Sequence, residues 1–488
     1  MSDPIKKFYC GRDIFVTGGS GLMGKALLEK LLRSCNGVNR IFVLLRDLKG
    51  QTGRSRLQQV KDSKIFDRLR KEDPDSLDKL VAIPGDITAL GLGMSEESEK
   101  LMENVSLVFH VAATVRFDEP ISNAIMLNIR GTQEALKFAM RLKHLNRFIH
   151  ISTAYTYPYK PSLYEEVYPA MADWRTMVKI AEKYDGELLG AFTNKILGVF
   201  PNSYTFTKHL AEQLVKDYSD KLPVAIIRPA IVHCCGVEPM EGWYDKLLAV
   251  MGMMTAVGTG IVRALYCRPS CVMDLVPLDD CIKIFVICPW WIQEKEAYSQ
   301  LPVLNLSSSQ IRTYSIETLS TINCELLEKY AFNKMLWLPT FGLTQNIWYY
   351  YFRLYTLHVF PAIIFDTLIK LSGRQPFFLH IQRRALASQR ALQFFVFNDY
   401  MFFTKRLSIL LEALKEYPDF RFDNLLHKTL HEIVEISVKG CRRYLVHEDD
   451  SSLPQAVRRY KIIKVADFII CRGFQCWLAY YILGKFIF

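Results

Sequence analysis

The stretch from Arg12 to Arg33, RDIFVTGGSGLMGKALLEKLLR, constrains the fold more than any other. A short apolar run, Ile14-Phe15-Val16, ends at Thr17. Gly18, Gly21 and Gly24 follow, and the run after them is amphipathic, with Leu22, Ala26, Leu27, Leu28, Leu31 and Leu32 apolar. The order is strand, glycine turn, helix. Glycines so placed turn the chain tightly, let backbone N–H groups approach a pyrophosphate, and let the helix pack close to the strand. The helix N-terminus adds the positive end of its dipole. Ordinary strand–helix connections use similar glycines, so the meaning of this one depends on the rest of the chain.

At 488 residues the chain is long enough for two or three domains. Half of it is hydrophobic, which allows a large core, and the net charge of +11 suits an anionic cofactor, an anionic substrate or an anionic membrane surface. No basic tract is dense enough to argue for nucleic acid. The 12 cysteines are scattered without a regular framework, as for free thiols in a reducing compartment. Cys267 and Cys271 form a C-x-x-x-C without a second pair, so no metal site is predicted. The opening MSDPIKKFYCGRD has no apolar h-region and hence no cleavable secretory signal, which predicts a cytosolic amino-terminal domain.

Further short apolar runs continue the strand series at Arg40–Arg46, Leu80–Asp86, Val105–Ala113, Arg147–Thr153, Leu222–Val232 and Val303–Ser307. Helical stretches alternate with them, which predicts an α/β, doubly wound parallel sheet of Rossmann type. Arg46, with Lys49 close behind, ends the second run where the adenine ribose belongs. Arginine there accommodates a 2′-phosphate, whereas an acid favours a 2′-hydroxyl, so NADPH is predicted even though Asp47 follows. Asp86 ends the third run and either meets the adenine or caps the next turn. Ser152 and Thr153 end the fifth, where open α/β sheets bind ligands. Tyr204 and Lys208, in PNSYTFTKHLAEQLVKD, are four residues apart on one helical face, where the ammonium can depress the phenol pKa.

The G-x-x-G-x-x-G turn followed by YTFTK at Tyr204–Lys208 resembles the extended short-chain dehydrogenase/reductase superfamily. The string from Phe109 to Asp118, FHVAATVRFD, resembles the eukaryotic fatty acyl-CoA reductases more narrowly. So do Asn128-Ile129-Arg130-Gly131-Thr132, GVEPMEGWYD at 236–245 and DLVPLD at 274–279. The resemblance implies NADPH-dependent reduction of long-chain fatty acyl-CoA to a primary alcohol through an aldehyde, with release of CoA. It implies catalytic Thr153, with Ser152 as its neighbour, Tyr204 as proton donor and Lys208 as its tuner. It places the cofactor against Thr17, Gly18, Ser20, Gly21, Leu22, Met23, Gly24, Arg46, Asp86, Ile87, Ala112, Ala113, Tyr204 and Lys208. Asn128 is expected near the active site or as a helix cap, and His110 in a structural role. Arg263 and Arg268 either meet CoA phosphates or are solvated. A membrane-bound sterol or hydroxysteroid dehydrogenase of the same superfamily, and a non-catalytic cofactor-binding protein, are the alternatives.

The resemblance also implies a helical carboxyl-terminal domain, and the predicted division is 1–320 and 321–488. The second part is predicted to associate with membrane lipid through segments at about 335–371 and 465–488. Met335 to Phe365 holds one full charge, Arg353, and the tail carries Trp477, Tyr480 and Tyr481, suited to an interface belt. Phe394 to Leu414 reads as aromatic and helical. The catalytic domain is expected to face the cytosol, at the endoplasmic reticulum in preference to the peroxisomal membrane. No feature fixes an oligomeric state.

Overall fold

The computed structural model describes residues 3–48, 50–295, 301–422 and 426–487; for 293–295, 471 and 474–487 it describes the backbone alone. Lys49 and the side chains of Trp477, Tyr480 and Tyr481 lie outside the described residues. The chain forms two compact units that interleave in sequence. The first comprises Met1–Glu241, Asp274–Thr313 and Asn398–Lys428; the second comprises Gly242–Met273, Tyr314–Phe397 and Thr429–Phe488. A single cut at residue 320 therefore follows the linear chain, while the units cross it in both directions.

The first unit is built on a seven-stranded parallel sheet. Its strands are β1 (Asp13–Thr17), β2 (Arg40–Leu45), β3 (Leu80–Pro84), β4 (Val105–His110), β5 (Arg147–Ile151), β6 (Val224–Pro229) and β7 (Val303–Leu306). Their order is β3-β2-β1-β4-β5-β6-β7, so the chain runs outward from β1 to β3, returns to β4, and runs outward again. Helices cover both faces, so β1, β4, β5 and β6 are buried at every position. That explains their near-continuous apolar sequences. Phe15 sits in register with Phe42 on one side and Val108 on the other, at the centre of the core. The reversal between β1 and β4 leaves a crevice at their carboxyl ends, where such sheets bind ligands.

The glycine turn lies at that crevice and leads into α1 (Leu22–Ser34). Gly18 has φ +75°, and a Cβ there would lie 2.6 Å from the amide nitrogen of Ala112 at the end of β4. A Cβ on Gly24 would lie 2.2 Å from the Gly18 carbonyl oxygen. The first glycine permits the crossing and the third permits the helix to pack.

Residues 398–428 belong to the first unit through polar anchors. Asn305 Nδ2 donates to the Phe403 carbonyl (2.9 Å), Lys30 Nζ to that of Asp419 (2.7 Å) and Lys283 Nζ to that of Arg421 (2.6 Å). This region departs from the helix read over Phe394–Leu414. Met401–Phe402 pairs as a short strand with Ser162–Leu163, and helix begins at Lys405. The pairing partner lies more than two hundred residues away in sequence, beyond what local periodicity carries.

The second unit is mainly helical. Of the apolar segment at 335–371, only Ile347–Leu371 is a continuous helix, 25 residues long. Met335 and Leu338 instead sit in a small core with Ala331, Ala456 and Tyr460. A π turn over Tyr355–Val359 directly precedes Pro361. It shifts the hydrogen-bond register where proline has no N–H to give.

Gly24→Ala is expected to destabilise the protein by about 3 kcal/mol, because the new methyl meets backbone that cannot yield. Chemical denaturation checks this, and an unchanged midpoint would contradict the close approach.

Candidate active site

The carboxyl ends of the parallel strands gather most of the predicted residues. Thr17 and Gly18 leave β1, Arg46 follows β2, Asp86 and Ile87 follow β3, Ala112 and Ala113 follow β4, and Ser152 and Thr153 follow β5. Ser20, Leu22 and Met23 are half-buried around the N-terminus of α1. Gly21 is the cap of that helix and supplies no side-chain hydrogen bond. The first amides of α1 therefore have no capping side chain, and a cradle this bare and this close to backbone fits a dinucleotide pyrophosphate.

Behind the cradle a polar row fixes β1, β4 and the helix after β4. His110 Nδ1 lies 2.9 Å from Thr17 Oγ1, and His110 Nε2 lies 2.9 Å from Thr132 Oγ1. The Thr132 hydroxyl donates to the Asn128 carbonyl (2.7 Å), so it accepts from His110. The imidazole proton thus sits on Nε2, and Thr17 donates to Nδ1. Burial, with Lys208 nearby, pushes the His110 pKa down to about 3, so the ring stays neutral. Both ring nitrogens of His110 are thus occupied within the protein.

Tyr204 and Lys208 lie on α2 (Ser203–Asp217), whose first turn is capped by Asn202, which accepts from the Thr205 amide (2.9 Å). The Tyr204 phenol lies beside the Thr153 hydroxyl, which itself donates to the Pro229 carbonyl (3.5 Å), and the Phe117 ring stacks on Tyr204 with centroids 5.6 Å apart. Burial pushes the phenol up to about 12 against the smaller opposing effect of Thr153. The bond that the structure gives Lys208 is to backbone. Its Nζ donates to the Ile151 carbonyl at the end of β5 (2.6 Å). Burial pushes Lys208 down to about 8, with Glu212 opposing. Asn128 is consumed in positioning: it accepts from the Thr114 amide (2.9 Å) and donates to Thr207 Oγ1 (2.9 Å).

Glu212, one further turn along α2, escaped the sequence reading. Its carboxylate accepts from Ser152 Oγ (2.6 Å), from Arg228 Nε (2.8 Å) and Nη2 (2.6 Å), and from the Tyr157 hydroxyl (3.3 Å). Both members of the Glu212–Arg228 pair are fully buried. Ser152 is thereby committed to Glu212, while its neighbour Thr153 faces Tyr204. Its one sequence signal is an acid four residues beyond Lys208, on the same face of the helix as Tyr204 and Lys208.

Other predicted residues have different partners. Asp86 accepts from the Thr88 amide (2.9 Å) and hydroxyl (2.8 Å), the capping arrangement. Arg263 is held inside the second unit by Asp467 (3.2 Å). The strings near 236 and 279, distant in sequence, meet: Asp279 accepts from the amides of Gly236 (2.8 Å) and Val237 (2.9 Å). Arg56, unremarked in the sequence, donates from Nη1 to the Arg46 carbonyl (2.6 Å) and brings a second cation to the end of β2.

Glu212→Ala is expected to cost about 3–5 kcal/mol of stability, because it leaves the Arg228 guanidinium buried without its counter-charge. Ser152→Ala removes one hydrogen bond to that carboxylate and should cost about 1–3 kcal/mol. Urea titration of the two variants checks the ranking, which the reverse order would overturn.

Two family profiles, both described as male sterility protein, match the chain, an NAD-binding one over residues 16–285 and a second over 357–448. Human fatty acyl-CoA reductase 1 is 34% identical over 93% of this chain and 88% of its own length. The Drosophila melanogaster fatty acyl-CoA reductase wat is 30% identical over 99% of this chain and 94% of its own. Among solved structures, the terminal R domain of the myxalamid PKS-NRPS pathway superposes with a TM-score of 0.59 at 17% identity, covering 90% of this chain and 91% of that one. The reductase domain of a Mycobacterium tuberculosis non-ribosomal peptide synthetase gives 0.56 at 16% identity, over 90% and 97%. These two show the shared fold. The profile matches and the nearly full-length similarity to curated relatives establish that the chain belongs to the fatty acyl-CoA reductase family.

Proposed function

We propose that the protein reduces long-chain fatty acyl-CoA to the primary alcohol with NADPH, through an aldehyde, and releases coenzyme A. The observation that carries this reading is the buried Tyr204 phenol beside Thr153 at the end of β5, with Lys208 one helical turn behind and bonded to the Ile151 carbonyl. The relatives, named fatty acyl-CoA reductases, support the substrate class and give the sterol alternative no support. The bare α1 N-terminus and the Gly18 crossing fit a dinucleotide, and the exposed Arg46 with Arg56 beside it fits a 2′-phosphate. Bound there, the cofactor supplies the hydride.

The chain's own residues handle the oxygen and the proton. Thr153 and Tyr204 hydrogen-bond the thioester oxygen and hold it where negative charge grows. Tyr204, kept protonated by burial, gives its proton to that oxygen as the carbonyl carbon accepts hydride. The resulting hemithioacetal breaks its C–S bond. The electron pair leaves with sulfur, the hydroxyl proton passes to the thiolate, and an aldehyde remains. A second hydride and a second proton through the same oxygen site give the alcohol. The Lys208 ammonium holds the end of β5 and is placed to bind the nicotinamide ribose.

The work is also proposed to take place at a membrane, with the catalytic unit on the cytosolic side. Ile347–Leu371 is long and apolar enough to associate with lipid, and a long-chain alcohol leaves water readily beside a bilayer.

Arg46→Ala should raise KM for NADPH far more than for NADH; equal losses would reject the cofactor assignment. Tyr204→Phe should abolish alcohol formation while NADPH binding, read by fluorescence titration, persists. Appreciable turnover by that variant would sink the mechanism. Lys208, with a pKa near about 8, is charged below it and neutral above, so kcat/KM should fall as pH rises through that value. Lys208→Arg stays charged and should flatten this alkaline limb, even at reduced rate; an unshifted limb would assign the titration to another group.

A further inference from the structure

The helix Ile347–Leu371, α3, is inside out. Tyr350, Leu354, His358, Ala362 and Asp366 recur every fourth residue and are all buried. Two of these five inward positions are polar. His358 Nε2 accepts from the Arg263 amide (3.0 Å), and Asp366 accepts from the amides of Phe377, Phe378 and Leu379 at 2.9, 2.8 and 2.9 Å. Facing outward are Trp348, Phe352, Phe360, Leu368 and Leu371, exposed by 78, 62, 63, 57 and 80%. A helix on a water-facing surface has the opposite pattern, and an exposed patch of this extent marks an interaction site.

The helix Leu453–Ile487 buries apolar Ala456 and Tyr460 in its first turns, and the inversion appears only beyond them. Asp467 turns inward to Arg263 (3.2 Å), while Ile462, Val465, Phe468 and Ile469 are exposed. The charge around α3 is of one sign. Between residues 345 and 397 there are six Lys or Arg and one acid, and that acid is the buried Asp366.

We propose that the outward face of α3 docks in the plane of an anionic lipid surface, its aromatic and aliphatic side chains in the acyl boundary and the neighbouring arginines at headgroup level. This rests on the membrane reading above and gives it a geometry. A crossing helix meets lipid on most sides. This one is packed against the protein along the single stripe from Tyr350 to Asp366, and what opposes crossing is its neighbour: the helix Phe378–Leu392 beside it exposes Arg383, Arg384 and Arg390. Crossing would carry those charges into hydrocarbon, whereas an in-plane helix keeps them among phosphates.

The test uses the full-length chain in sealed microsomes, in a background with Cys10, Cys324, Cys471 and Cys476 replaced by Ser. Gln345→Cys and Arg374→Cys mark the two ends of the helix. A membrane-impermeant maleimide added outside should label both without detergent. Protection of one end would mean that the helix crosses, which overturns the in-plane geometry. Recovery of the protein in the soluble fraction would overturn the membrane reading itself. On phosphatidylcholine vesicles containing phosphatidylserine, Arg383→Gln/Arg384→Gln should bind roughly thirtyfold more weakly than the parent chain. Equal binding would remove the anionic-lipid part. If light scattering instead shows a dimer that Trp348→Ser/Phe352→Ser dissociates, the face binds a second copy and the proposal is wrong.

Discussion

A single buried carboxylate ties together the elements that carry the proposed catalytic residues. Glu212 gathers Ser152 from the end of β5, Arg228 from β6 and Tyr157 from the segment after β5, and does so from the helix that carries Tyr204 and Lys208. Arg228 extends the network by donating to the carbonyls of Tyr164 (3.1 Å) and Glu166 (2.8 Å). An isolated charge in this position would be strongly unfavourable. A pair with every lone pair occupied is tolerated, and it transmits geometry because neither partner can move without exposing the other.

The same burial sets the chemistry. Tyr204 is driven upward and remains an acid throughout the neutral range, while Lys208 is driven downward toward it. These opposite shifts share one cause, the removal of water from the charged form. In the proposed mechanism Thr153 and the phenol share the substrate oxygen. Lys208 donates to the Ile151 carbonyl and so ties α2 to the strand end that carries Thr153.

Much of the first unit was legible because its signals are local. The glycine turn, the apolar strands and the Tyr204/Lys208 spacing are each encoded within a few residues, and the sheet order follows from handed crossover connections. Thr153 was separable from Ser152 only by family resemblance; the reason for their difference, Glu212, lies sixty residues away. Lys208 was read as acting on Tyr204 because both share a helical face, but the backbone carbonyl it bonds is invisible to periodicity. Residues 398–428 were read with their sequence neighbours because polar anchors such as Lys30 and Lys283 leave no pattern in the chain. In the second unit the apolar content of 335–371 was evident. That its first part enters a protein core and the remainder turns apolar residues outward depends on burial, which composition does not encode.

The mechanism requires that this site deliver two hydrides to one carbonyl carbon and release coenzyme A. It is tested most directly by incubating the purified protein with a long-chain acyl-CoA and NADPH deuterated at the transferable position, then analysing the product by mass spectrometry. The expected product is a primary alcohol carrying two deuterium atoms on its first carbon, with two NADPH oxidised for each CoA released. An aldehyde as the sole product, or an alcohol whose first carbon carries no deuterium, would contradict the mechanism.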